Sequence, residues 1–110
     1  AQAARTWNSR GNVGLVMGAT HPEQLGAVRR ICPDLPLLIP GVGAQSGQLE
    51  AIVPQGVDGR GRLAIINSSR AIIYASEGAD FAQAARREAA GLRDAVNRIL
   101  ESEGKGWLSS

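Results

Sequence analysis

The sequence predicts a parallel α/β chain. Three short apolar runs, at 13–17 (VGLVM), 37–39 (LLI) and 63–66 (LAII), each lead into a glycine- or serine-rich turn and then a stretch with helical spacing. Runs that are apolar at every position fit parallel strands covered on both faces, and strand–helix alternation is the pattern of α/β architecture.

Each element has its own local reason. Residues 1–7 are polar and alanine-rich and read as the tail of a helix ending before Gly11. The first strand is bounded by Asn12 and Gly18. Pro22 stands at the first helical position, where a missing N–H costs nothing, with Thr20 or His21 as the cap. Leu25, Val28, Ile31 and Cys32 follow at helical spacing, which assigns Glu23, Arg29 and Arg30 to the solvated face. Pro33 stops that helix.

Pro36 leads into the second strand, closed by Pro40-Gly41, and PGVGAQSG opens a short helix with Leu49, Ile52 and Val53 on its inner face. QGVDGRGR, residues 55–62, is polar and glycine-rich and is expected to be the most mobile link. The third strand ends in Asn67-Ser68-Ser69-Arg70, followed by residues 71–75. Asp80 is expected to cap the longest helix, whose buried stripe is Phe81, Ala85, Leu92, Val96, Ile99 and Leu100. Residues 104–110 have no period and read as a frayed tail, leaving 1–103 as the folded segment.

Composition removes several function classes. At 110 residues, with 44% hydrophobic and 20% charged, the chain is one small globular unit. The excess of Lys and Arg over Asp and Glu is only two, and the arginines are scattered; the aromatics Trp7, Tyr74, Phe81 and Trp107 do not interleave with them as a base-stacking platform would. Nucleic-acid binding is therefore not expected. One cysteine, Cys32, excludes an internal disulfide framework and fits a reduced, cytoplasmic compartment. No apolar run approaches the ~20 residues that span a bilayer, and residues 1–10 carry no hydrophobic signal core, so neither membrane nor secretory leader is expected.

In parallel α/β folds the working loops lie at the carboxyl ends of the strands. Here these are 18–20, 40–47 and 67–70. PGVGAQSG places three glycines in eight residues directly before a helix. Such a loop turns sharply and presents backbone N–H groups, aided by the helix dipole, to an anion; equally, the glycines can serve only to make the turn. Gln45 adds a neutral amide donor. Arg70, beyond Ser68-Ser69, is of the type that grips a phosphate bidentately, although a lone arginine there would more simply pair with Glu77 or Asp80. Consecutive parallel strands are neighbours, so these two loops are expected side by side as one phosphate cup. His21 reads as a cap or surface residue, Cys32 as a small core residue, Tyr74 as packing. The only lysine, Lys105, stands near none of the loops. Two architectures satisfy the pattern, an open doubly wound sheet or part of a (β/α) barrel.

NVGLVMGATHPEQL, then PLLIPGVGAQSGQLEA, then INSSRAIIYAS before an alanine-rich helix, resembles the carboxyl-terminal portion of the orotidine 5′-phosphate decarboxylases. The resemblance is closest to the bacterial branch with GLVVGAT, PGVGAQGG and NSSR-like segments (type 2), and it runs from about Trp7 to Leu100. It implies α/β structure of the (β/α)8 TIM-barrel type, this chain supplying about strands six to eight. It implies decarboxylation of orotidine 5′-monophosphate to uridine 5′-monophosphate, in de novo pyrimidine synthesis, with neither cofactor nor metal. Gln45 and Arg70 then match the phosphate-holding residues. Pro40, Gly41 and Val42 match a loop near base and ribose, and Ser69 lies where a backbone N–H assists. Ser46 replaces a glycine common in that loop.

The resemblance also marks what is missing. The family's Lys–Asp–Lys–Asp array comes from earlier strands and from a partner subunit, and no D-x-K-x-x-D pattern occurs here. The chain alone is thus expected to be inactive. It is read either as a fragment of a longer enzyme or as a piece that pairs with a separate chain supplying the remaining amino-terminal half of the barrel, and the assembled enzyme is expected to be a homodimer. A self-contained phosphate-binding module, or a half-barrel that self-assembles, is the alternative. A three-strand slice exposes two sheet edges and one apolar face, so stable folding is expected only with complementary strands or by self-association.

Overall fold

A computed structural model describes residues 2–42 and 48–106, with Ser69 and Arg70 described by their backbone only. The elements are α1 (Gln2–Trp7), β1 (Leu15–Val16), α2 (Pro22–Ile31), β2 (Leu37–Ile39), α3 (Gln48–Gly56), β3 (Ala64–Ile66), α4 (Ser69–Ile73) and α5 (Phe81–Ser102). The strands form one parallel sheet in the order β1-β2-β3. Leu15, Leu37 and Ala64 share one cross-strand row, and Val16, Leu38 and Ile65 share the next.

Because side chains alternate across a strand, these rows face opposite ways. The row with Leu15, Leu37 and Ala64, joined by Met17, Ile39 and Ile66, lies under the helices. Leu25 of α2, Ile52 and Val53 of α3 and Leu100 of α5 close over it into one core. Leu25, Leu37, Ile39, Ile52 and Val53 are wholly buried. Each such side chain contributes about 1.5–3 kcal/mol relative to exposure, so this core is the main source of stability. A smaller cluster of Ala4, Cys32 and Leu35 seats α1 against the end of α2. The second row is uncovered, with Val16 67% and Ile65 60% exposed.

Arg29 corrects the expectation of a solvated side chain: it is 7% exposed. Its Nε and Nη2 donate to the Gly56 carbonyl at 2.9 and 2.7 Å, and Nη2 also donates to Leu63 at 2.9 Å. Nη1 donates to the carbonyls of Leu35 at 2.7 Å and Cys32 at 3.2 Å. The guanidinium thus satisfies carbonyls at the carboxyl ends of α2 and α3, which helices leave without partners and where the dipole favours a cation. Leu63, at φ 67°, holds the left-handed conformation that few non-glycine residues adopt. Its carbonyl accepts from both Arg29 and the Leu37 N–H, at 2.9 and 2.8 Å, which fixes the start of β3.

Four further expectations change, the first being Tyr74, which is 73% exposed and not packed. The link expected to be mobile is a hydrogen-bonded turn, because the Asp58 carboxylate accepts the Arg60 and Arg62 N–H groups, both at 2.9 Å. The Asp80 side chain makes no capping bond; it accepts the Ser76 hydroxyl at 2.6 Å instead. Phe81 is 63% exposed, and the inward stripe of α5 begins at the buried Ala84. Past α5, Gly104 at φ 72° lets the Gly104 and Lys105 N–H groups return to Glu101 and Leu100 at 3.1 and 2.8 Å. This is the Schellman closure of a helix end. Residues 107–110 of the expected tail lie outside the described residues.

Candidate functional site

The parallel ladder continues past the strands and binds two loops together. The Asn67 N–H donates to the Ile39 carbonyl at 3.0 Å, and the Val42 N–H donates to the Asn67 carbonyl at 3.2 Å. Between these bonds Gly41 takes φ 76° with nothing within 4 Å of a notional Cβ. A glycine adopts that conformation without steric cost, so the chain reverses while Val42 returns to the neighbouring loop. Val42 is 2% exposed and packs in the main core. It anchors the loop by its side chain, whereas Pro40 is half-buried and Gly41 exposed.

Across from them, Ser68 is buried and its carbonyl accepts the Ile72 N–H at 3.2 Å. Ser69 and Arg70 form the first turn of α4. Gln45 and Ser46 lie outside the described residues, as do the side chains of Ser69 and Arg70. The described part of the site is thus its floor: two loop bases joined by backbone hydrogen bonds at the carboxyl end of the sheet.

The opposite end of the sheet holds Arg29, Asp58 and Lys105. Lys105 follows the cap of α5, and its carbonyl lies 2.5 Å from where a Cβ on Gly61 would stand, in the Asp58 turn. That turn and Arg29 belong to the amino-terminal ends of the strands, so the single lysine sits across the sheet from Pro40 and Ser68. Burial pushes the Arg29 guanidinium below its ordinary value, partly offset by the Asp58 carboxylate. Burial would raise Asp58, but the N–H groups of Arg62 and Arg60, with the Arg29 charge, outweigh it and hold the carboxyl below its usual value. The Ser76 hydroxyl likewise lowers Asp80. His21 is exposed beside α2, with Nδ1 3.5 Å from Glu23. Among the described residues, no group of His, Cys, Asp and Glu is arranged to hold a metal ion, and no helix is long and apolar enough to cross a membrane.

A groove of about 710 Å³ lies between α3, α4 and α5, on the helix side of the sheet. It takes Ser68 into its wall but neither Pro40 nor Gly41. It shares Ser68 with the joined loop bases and runs from there along the helices. Sequence periodicity missed Arg29 and the core-facing direction of Val42. The only signal for either was position: Arg29 in the last turn of a helix, Val42 directly after a glycine.

No family model matches the chain. An orotidine 5′-phosphate decarboxylase of Roseiflexus castenholzii is 54% identical over 103 residues, which are 93% of this chain and 38% of the relative. That of Ralstonia pickettii is 56% identical over 100 residues, 90% of this chain and 37% of the relative. The chain thus spans little more than a third of the length of the curated relatives it matches. In structure, Leishmania donovani OMP decarboxylase superimposes over 89% of this chain and 35% of its own, with TM-score 0.69 and 36% identity. Leishmania donovani UMP synthase does so over 89% and 20%, at TM-score 0.69 and 41% identity. The parallel sheet with helices on one face thus matches, in sequence and in space, a part of the orotidine 5′-phosphate decarboxylases, to which this chain is similar over nine-tenths of its own length.

Proposed function

We propose that this chain supplies the phosphate-binding loops of an orotidine 5′-monophosphate decarboxylase, the carboxy-lyase that yields uridine 5′-monophosphate and CO₂. In this reading β1, β2 and β3 are about strands six to eight of a (β/α)8 barrel. The observation that carries it is the Val42 N–H to Asn67 carbonyl bond of 3.2 Å. It joins the bases of the two loops on which Gln45 and Arg70 stand, each three residues further along.

The chemistry divides by region. A guanidinium at position 70 offers two parallel N–H donors to a phosphate, and the Gln45 amide offers a neutral one. Held at the far end of the nucleotide from the carboxylate that leaves, this grip orients the substrate, and its binding energy is spent on the transition state. Proton delivery to the carbanionic carbon falls to a Lys–Asp array that the remaining barrel strands and a partner subunit of the homodimer provide. Lys105, across the sheet, is not placed for it, so the chain alone is inactive.

The test is Arg70→Ala in the complete enzyme. The expected result is a raised KM for the nucleotide and a loss in kcat/KM worth about 2–4 kcal/mol, the cost of removing one partner of a desolvated charge-assisted contact. An unchanged kcat/KM would remove the phosphate assignment.

A further inference from the structure

We infer that the groove between α3, α4 and α5 is a second ligand site. It takes a small molecule with an apolar body and a cationic amine, and its occupant acts on the turn that carries Arg70. Binding there stands by itself, whereas the action on that turn rests on the proposed phosphate grip.

Volume, lining and charge converge. At about 710 Å³ the groove is of the size that encloses a small molecule. Leu49, Pro54, Ile72, Leu92, Ala95 and Ile99 give it an apolar lining. Its walls are helices, on the side of the sheet away from the bare row with Val16 and Ile65. Gly91, in the interior of α5, opens the space: no atom lies within 4 Å of a notional Cβ there. Alanine would make the more stable helix at that place, and any larger side chain would take up room in the groove.

The polar part of the lining sets the sign of the occupant. Glu50, Glu88 and Glu103 stand there against one cation, Arg98. All four are exposed, and none is in an ion pair among the described residues. A cleft with an excess of one sign concentrates the opposite charge. An amine is therefore attracted where a carboxylate of the same shape is repelled, and an alcohol gains only the burial of its apolar body.

The same groove reaches the loop bases. Ser68, Ala71 and Ile72 of its wall flank positions 69 and 70. The Ile72 N–H donates to the Ser68 carbonyl at 3.2 Å across that turn. An occupant resting on Ala71 and Ile72 thus bears on the first turn of α4. By linkage, what it does to nucleotide affinity the nucleotide does to its own.

Calorimetry of the complete enzyme with three indoles of similar shape tests the site: tryptamine, tryptophol and indoleacetate carry an amine, a hydroxyl and a carboxylate. Tryptamine is expected to bind about tenfold tighter than indoleacetate, with tryptophol between. Glu50→Gln with Glu88→Gln should erase that order. Gly91→Phe, which fills the groove, should abolish binding of all three in a protein that still unfolds cooperatively. Saturating tryptamine should shift KM for the nucleotide about fivefold in the wild type and leave it alone in Gly91→Phe. No binding, equal affinity for amine and carboxylate, or undiminished binding to Gly91→Phe would each overturn the site. Binding with an unmoved KM would uphold the site and overturn its action on α4. If Arg70→Ala left kcat/KM unchanged, the phosphate grip would fall while tryptamine binding stood.

Discussion

At residue 29, helical spacing points to solvent and the fold buries a guanidinium. Its donors serve carbonyls of Leu35, Gly56 and Leu63 together, at 2.7 to 2.9 Å. Arg29→Ala should cost about 3–5 kcal/mol in urea unfolding of the folded protein, because breaking a buried charged network strands its partners. Arg29→Lys should not restore it, since an ammonium is a point charge without the planar fork. Asp58 carries a pH signature. Its carboxyl is held below the ordinary value in the folded state. The stability it adds is therefore full above the unfolded value of about 3.9 and is lost as pH falls through the lower folded value. Asp58→Asn should be less stable than the wild type at pH 7 and lose less on acidification to about pH 3. Equal losses in the two proteins would remove that role.

Among the elements, two of the turns made on positive-φ glycines separate strain from collision. Gly41 and Gly61 have φ of 76° and 77°, but only Gly61 has an obstacle, the Lys105 carbonyl at 2.5 Å from a notional Cβ. Gly41→Ala should therefore cost about 1–2 kcal/mol, the left-handed penalty alone. Gly61→Ala should cost clearly more, because the turn and the α5 cap must also part. Thermal unfolding of the two variants orders them, and equal values would refute the packing of Lys105 on the turn. In the second strand–helix unit, Leu49, Ile52 and Val53 are buried on the inner face of α3 as their spacing requires. At the start of α5 the same logic overreached: Phe81 is periodic with the stripe but stands about three turns before Leu92, the first α5 residue packed on the main core.

For the molecule as a whole, an open apolar row and two raw edges favour association over a solitary state. Sedimentation of this chain by itself should show concentration-dependent self-association, suppressed when the complementary strands are present. A single cooperatively unfolding monomer at all concentrations would contradict this. The strand–helix order, the parallel sheet and the position of the loops were legible because each depends on short-range spacing: apolar runs, glycines and prolines. The floor of the site was legible only as adjacency of consecutive strands, which the Asn67 bonds to Ile39 and Val42 now express as geometry.

By itself, the sequence determined the alternation of strands and helices, the inner faces of α2 and α3, and the kinship carried by its three loop motifs. Those are local properties, set by the two periodicities of side chains and by residues that stop or turn a chain. Tertiary structure alone decided that Arg29 is buried, that Val42 points into the core, that Phe81 does not, and which face of the sheet lies bare. Burial depends on what arrives from elsewhere in the chain. A carbonyl at Gly56 or Leu63 has no mark in the sequence that it will need a donor from α2.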